Sequence, residues 1–136
     1  MTGRHCAIET LARYAHLAVE LARPEQAGRR VQQELRSPAN EIWLSPISTW
    51  EALTLHAKGK IRLQDNLSEW VAEATGPLRE APLTHEIALA SQQLTLPHPD
   101  PADRLIAATA KLLRLTLVTA DVKLLGLGEI STLANR

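Results

Sequence analysis

Asp100-Pro101-Ala102-Asp103-Arg104-Leu105-Ile106-Ala107-Ala108-Thr109-Ala110, followed shortly by Leu115-Thr116-Leu117-Val118-Thr119-Ala120-Asp121, places one apolar helix directly before one apolar strand. Asp at the cap, Pro at the first helical position and a carboxylate at the third favour a helix start electrostatically, and the apolar run carries the helix to about Leu113. Leu115 to Thr119 reads as a strand from its apolar and β-branched content, with Asp121 just past its end.

Upstream, Glu41-Ile42-Trp43-Leu44 is far below helix length and suits a buried strand. Ser45-Pro46 then supplies an N-cap and first helical residue for a helix that runs to about Ala57 and stops at Gly59. Ile61 and Leu63 form a brief extended stretch. Asp65 or Asn66 caps a helix carrying Leu67, Trp70, Val71 and Ala74, ended by Gly76. Leu78 to Leu83, flanked by Pro77 and broken by Pro82, is a strand only if short or at a sheet edge. Thr84 caps a helix with Ile87, Ala88 and Ala90, and Leu94 to Pro101 is a Pro-rich loop.

Near the N-terminus, Ile8, Leu11, Ala12, Ala15, Ala18, Val19 and Ala22 recur at helical spacing, predicting a helix over 8–22. Pro24 opens a second helix through Arg36, and Ser37-Pro38-Ala39-Asn40 marks a turn. Helices alternating with short buried strands predict an α/β layered fold with a mainly parallel sheet, in which ligands gather at the carboxyl ends of the strands.

The 136 residues suit one domain, 1–136, and 45% apolar with 22% charged content is that of a folded chain rather than a disordered one. Fifteen basic and fifteen acidic residues cancel, so any nucleic-acid contact must come from a local patch. A single cysteine, Cys6, excludes an intrachain disulfide framework and suits a reducing compartment. With neither a signal-peptide core nor an apolar run near the roughly 20 residues of a membrane span, the expectation is a cytoplasmic protein with no membrane partner.

Glu51 lies in the helix after one strand, Asp103 in the first turn of the late helix and Asp121 after the last clear strand, so all three can face one sheet edge. Hard divalent ions such as Mg²⁺ or Mn²⁺ take oxygen ligands, and a few convergent carboxylates suffice to hold one for phosphodiester cleavage. Asp100 suits the N-cap in preference to a metal ligand. Arg104 suits either a phosphate contact or an ion pair with Asp100. Lys58, Lys60 and Arg62 form a compact basic cluster, a solvated turn by default and an RNA-backbone contact in the sharper reading. The five histidines lack zinc-ligand spacing, and Trp43, Trp50 and Trp70 read as core or interface anchors. No nucleotide-binding Gly-rich loop or nucleophile elbow is present.

Four stretches in order, Leu44-Ser45-Pro46-Ile47-Ser48-Thr49-Trp50-Glu51, Lys58-Gly59-Lys60-Ile61, Leu96 through Ala110 and Leu117-Val118-Thr119-Ala120-Asp121, closely resemble the successive motifs of the PIN-domain family, in its VapC toxin branch. The resemblance covers about residues 30 to 125. It implies a Mg²⁺- or Mn²⁺-dependent endoribonuclease toxin, paired with an antitoxin protein and commonly a homodimer. Glu51, Asp103 and Asp121 match the family's acidic positions as catalytic residues and metal ligands, and Asp100 matches a further acidic position of the branch. Arg104, Lys58 and Lys60 are the accompanying RNA-phosphate candidates.

Members of that branch begin with an apolar strand ending in Asp-Thr-His, whose Asp is a principal metal ligand. Here the expected counterpart is only His5 after Gly3-Arg4, so the first central strand is expected to be absent or replaced. Glu9 and Glu20 are the upstream acids that would have to substitute. An altered frame or start near the beginning of the gene accounts for this departure, and so does a degenerate copy that keeps antitoxin binding or dimerisation without full catalysis.

Overall fold

The computed structural model describes residues 10–12, 28–95, 100–119, 122–125 and 128–134. Five strands form one sheet: β1 (Thr10–Ala12), β2 (Ile42–Leu44), β3 (Arg79–Glu80), β4 (Thr116–Thr119) and β5 (Ser131–Ala134). Their order is β3-β2-β1-β4-β5, and every neighbouring pair is parallel. The predicted α/β class and parallel sheet are therefore present.

One expectation is overturned. Within the predicted helix over 8–22, Thr10–Ala12 is a strand, and it fills the central position expected to be absent or replaced. Thr10, Leu11 and Ala12 pair with Ile42, Trp43 and Leu44 on one side and with Thr116, Leu117 and Val118 on the other. The inner edges of β2 and β4 carry backbone donors and acceptors that only an intervening strand can satisfy together. Local spacing cannot register that demand.

Six helices are described: α1 (Arg29–Arg36), α2 (Pro46–Ala57), α3 (Leu67–Thr75), α4 (His85–Gln93), α5 (Pro101–Leu113) and α6 (Val122–Leu125). Helix α1 begins after Gly28 rather than at Pro24, which lies outside the described residues. The four caps expected from sequence are made: Ser45 Oγ accepts from Ile47 N at 3.1 Å, Asn66 Oδ1 from Glu69 N at 3.1 Å, Thr84 Oγ1 from Ile87 N at 3.2 Å and Asp100 Oδ1 from Ala102 N at 2.9 Å. Helix α2 ends where Gly59, at φ +73°, lets Lys60 N reach Leu55 O at 2.9 Å, a turn conformation that glycine adopts without a Cβ penalty. The strand between Pro77 and Pro82 is a two-residue edge strand, as the flanking prolines require.

The main core lies between α4, α5 and the sheet, with Ile87, Ile106, Ala107, Ala110, Leu117 and Leu124 buried together. The small side chains of α5 let that helix sit close on β4. A second cluster, Ala52, Leu63 and Trp70, fills the space between α2 and α3. Among the described residues no helix is long and apolar enough to cross a membrane.

Candidate active site

In this order the chain first builds one side of β1, as β2 and β3, then crosses to build the other, as β4 and β5. The switch point therefore lies between β1 and β4, and a crevice opens outside the carboxyl ends of those strands. Ala12 ends β1 level with Leu44 and Val118. Helix α2 leaves this edge after β2, whereas α5 arrives at the opposite edge to feed β4, so the amino end of α5 belongs with the amino end of α2.

Asp103 is the third residue of α5 and is only 1% exposed. It shares a helix face with buried Ile106, Ala107 and Ala110, which face the sheet, so its carboxylate is directed inward at the switch-point edge. Glu51 lies on the face of α2 that carries buried Ser48 and Ala52, and its Oε1 is closed off from solvent. A carboxylate held out of water at the edge of a sheet needs polar or cationic company, and this supports a site role for Glu51 and Asp103 over solvated surface charge. Asp121 follows Thr119 by two residues in sequence and lies outside the described residues.

Sequence reasoning missed three further polar groups at this edge. Ser48 and Thr119 are fully buried, and Ser45, expected only as a cap, is buried as well. Ser48 stands three residues before Glu51, a helical spacing that puts a hydroxyl and a carboxylate on one face and was legible in principle.

The other candidates are placed differently. Asp100 caps α5 through Ala102 N. Arg104 donates from Nε to Ser91 O at 3.0 Å and from Nη2 to Leu94 O at 3.2 Å, both carbonyls at the end of α4, a role not foreseen from its sequence. Lys58 and Lys60 are exposed beyond the carboxyl end of α2, about 18 Å along that helix from the switch-point edge. Of the tryptophans, Trp70 is core, Trp43 lies partly buried with Arg79 above its ring at 5.7 Å, and Trp50 is 57% exposed, so it is no core residue. Trp50 lines two surface hollows: one of about 410 Å³ with Ile47, Pro101 and Leu105, and one of about 430 Å³ with Leu53, Val71 and Leu78. His5, Glu9 and Glu20 lie outside the described residues.

Hard carboxylate and hydroxyl oxygens are the donor set that Mg²⁺ or Mn²⁺ takes. Among the described residues no group of three or more Asp, Glu, His or Cys side chains converges, and Asp121 lies outside those residues. β1 ends at Ala12, well past the Gly3-Arg4 pair to which the missing acid was assigned. There the sequence continues Arg13-Tyr14-Ala15-His16, without an acid.

A model of the PIN domain matches residues 15–129. The chain belongs to the PIN-domain family. Its match starts beyond β1, so the segment that departs from the family pattern is the one outside the match. Among solved structures, the chain is similar to VapBC2 of Rickettsia felis bound to a promoter DNA fragment, with TM-score 0.69 and 16% identity over 93% of this chain and 99% of that one. A toxin–antitoxin complex from Klebsiella pneumoniae aligns with TM-score 0.62 and 22% identity, covering 91% and 97% of the two chains. FitAcB of Neisseria gonorrhoeae aligns with TM-score 0.58 and 19% identity over 90% and 95%. No curated protein matches the chain.

Proposed function

We propose that this PIN-domain chain is the VapC-type toxin of a toxin–antitoxin pair, a Mg²⁺- or Mn²⁺-dependent endoribonuclease. The observation that carries the reading is the burial of Asp103, 1% exposed, at the switch point of the sheet. Asp103, Glu51 and Asp121 would hold the divalent ion, with Asp100 limited to capping the helix that carries Asp103. The ion would supply Lewis-acid stabilisation of the scissile phosphate and a lowered water pKa. Asp103 and Glu51 would orient the water so that its oxygen bonds to phosphorus as the P–O bond to the leaving ribose oxygen breaks. Ser48, buried one helical turn before Glu51, and Thr119, buried at the end of β4, would keep those carboxylates in one orientation.

The exposed Trp50 and the apolar hollows beside it support a protein partner. A large aromatic ring left open between two apolar depressions is a surface that a partner segment covers, and the antitoxin is the partner the family suggests. Homodimerisation and cytoplasmic residence belong to the same proposal.

A second reading is favoured by a specific observation: the strand end that should carry an Asp continues as Arg13-Tyr14. On that reading the chain keeps partner binding while its metal site is impaired. Cleavage of a mixed RNA pool by the purified chain, with Mn²⁺, with Mg²⁺ and with chelator, alongside Asp103→Asn, decides between them. Metal-dependent cleavage lost in the variant establishes the nuclease; a folded chain without metal-dependent cleavage establishes the impaired scaffold.

A further inference from the structure

Helix α4 ends without the left-handed residue that closes many helices. Its C-cap, Leu94, is extended at φ −68° and ψ 137°. The last carbonyls of a helix have no partner within it and carry the negative end of the helix dipole. Arg104 answers both needs from a different helix: its Nε donates to Ser91 O at 3.0 Å and its Nη2 to Leu94 O at 3.2 Å. One planar guanidinium thus bridges two carbonyls across the last turn of α4, a geometry that a single ammonium cannot reproduce.

Arg104 immediately follows Asp103, and consecutive helical residues point about 100° apart. The first turn of α5 is therefore held on two sides at once: Asp103 is directed into the sheet edge while Arg104 is bonded to the end of α4. The same turn is closed by Asp100, whose side chain takes Ala102 N and whose carbonyl takes Arg104 N at 3.1 Å. Deleting the guanidinium frees that turn to pivot about the buried apolar face that begins at Ile106, and Asp103 lies at the moving end.

We propose that Arg104 is a positioning residue: it caps α4 and thereby fixes Asp103 at the switch-point edge. The inference deepens the metal-dependent reading above and rests on it for its catalytic consequence. It assigns Arg104 a role distinct from contact with an RNA phosphate. Displacing a ligand-bearing turn typically costs 10–100-fold in metal affinity, the scale of losing a supporting hydrogen bond behind a ligand.

The test compares the full-length chain with Arg104→Ala and Arg104→Lys, each first shown by circular dichroism to be folded. Mn²⁺ binding is followed by the signal of free Mn²⁺ in electron paramagnetic resonance, and backbone amide exchange is followed over 91–95 and 101–106. In Arg104→Ala, Mn²⁺ affinity is expected to fall about tenfold with faster exchange confined to those two segments. Millimolar methylguanidinium is expected to restore part of both, and Arg104→Lys to fall between. On RNA, kcat should drop while KM holds. Unchanged exchange overturns the proposal, as does unchanged Mn²⁺ affinity in a chain that binds Mn²⁺. A raised KM with Mn²⁺ affinity intact overturns it in favour of direct phosphate contact. If the wild-type chain binds no Mn²⁺, the metal-dependent reading fails by itself, and the exchange comparison still decides whether Arg104 holds the turn.

Discussion

Ala12 of the central strand lies level with Val118 of β4, in parallel register, so the chain leaves both strands side by side at the switch point of the sheet. In sequence, β1 is followed by Arg13-Tyr14 and β4 by Ala120-Asp121. The difference between this chain and its family lies after β1: the scaffold position is filled, but no acid follows it.

An Asp introduced at that strand end should strengthen the metal site. We expect one of Arg13→Asp and Tyr14→Asp, made separately, to raise Mn²⁺ affinity by about tenfold, since each added carboxylate brings both charge and a hard oxygen ligand. Titration of Mn²⁺ by calorimetry checks this. Equal or weaker binding in both variants would show that the strand end does not face the ion.

Asp100 is expected to separate capping from ligation. Asp100→Ala should lose about 1 kcal/mol of stability, the usual cost of removing an N-cap acceptor. Asp100→Asn keeps an acceptor for Ala102 N and should stay within a few tenths of wild type. If Asp100→Asn also leaves Mn²⁺ affinity intact, the cap is its whole role; a tenfold loss would make Asp100 a ligand. Urea unfolding and Mn²⁺ titration of the same preparations provide both readings.

Glu129 ties three segments together. Its Oε1 accepts from the Thr95 hydroxyl and from Thr95 N at 3.1 Å, and its Oε2 accepts from Lys111 Nζ at 2.9 Å. The Thr95 hydroxyl bond first, and the Lys111 bond second, hold its carboxyl down from the ordinary 4.5 to about 2. A folded pKa below the unfolded one means that the contribution to stability is fully present above pH 4.5 and is lost as pH falls through about 2. A carboxyl-carbon NMR titration should therefore find Glu129 with a midpoint near 2. Thr95→Ala should move that midpoint upward by more than Lys111→Met does; the reverse order would mean that the ammonium dominates.

Arg114 ends α5 in the left-handed conformation, φ 56°, which lets Leu115 N return to Ala110 O at 2.9 Å and turns the chain into β4. A side chain makes that conformation costly, whereas glycine adopts it freely. Arg114→Gly should stabilise the fold by about 1 kcal/mol, a rise of a few degrees in Tm by calorimetry. A lower Tm would mean that the arginine side chain contributes more than its backbone costs.

The sequence by itself determined the elements whose signals are local. Ser45-Pro46, Asn66, Thr84 and Asp100-Pro101 announce helix starts because a short polar side chain bonds the first free amides wherever it occurs. Leu115 to Thr119 announces a strand by composition, and Asp103 is identifiable from the run around it.

Only the tertiary structure decided the rest, because those facts depend on partners distant in the chain. Thr10–Ala12 is a strand because β2 and β4 present unpaired backbone to one slot, a demand that outweighs an Ala- and Leu-rich helical spacing. Arg104 turns to α4 because the carbonyls of Ser91 and Leu94 end a helix within its reach, 13 and 10 residues away in sequence. The direction of α2 likewise carries Lys58 and Lys60 away from the carboxyl end of β2, where that helix begins. Spacing along a chain sets which residues can share a helix face; which edge that face meets is decided only when the strands have taken their order.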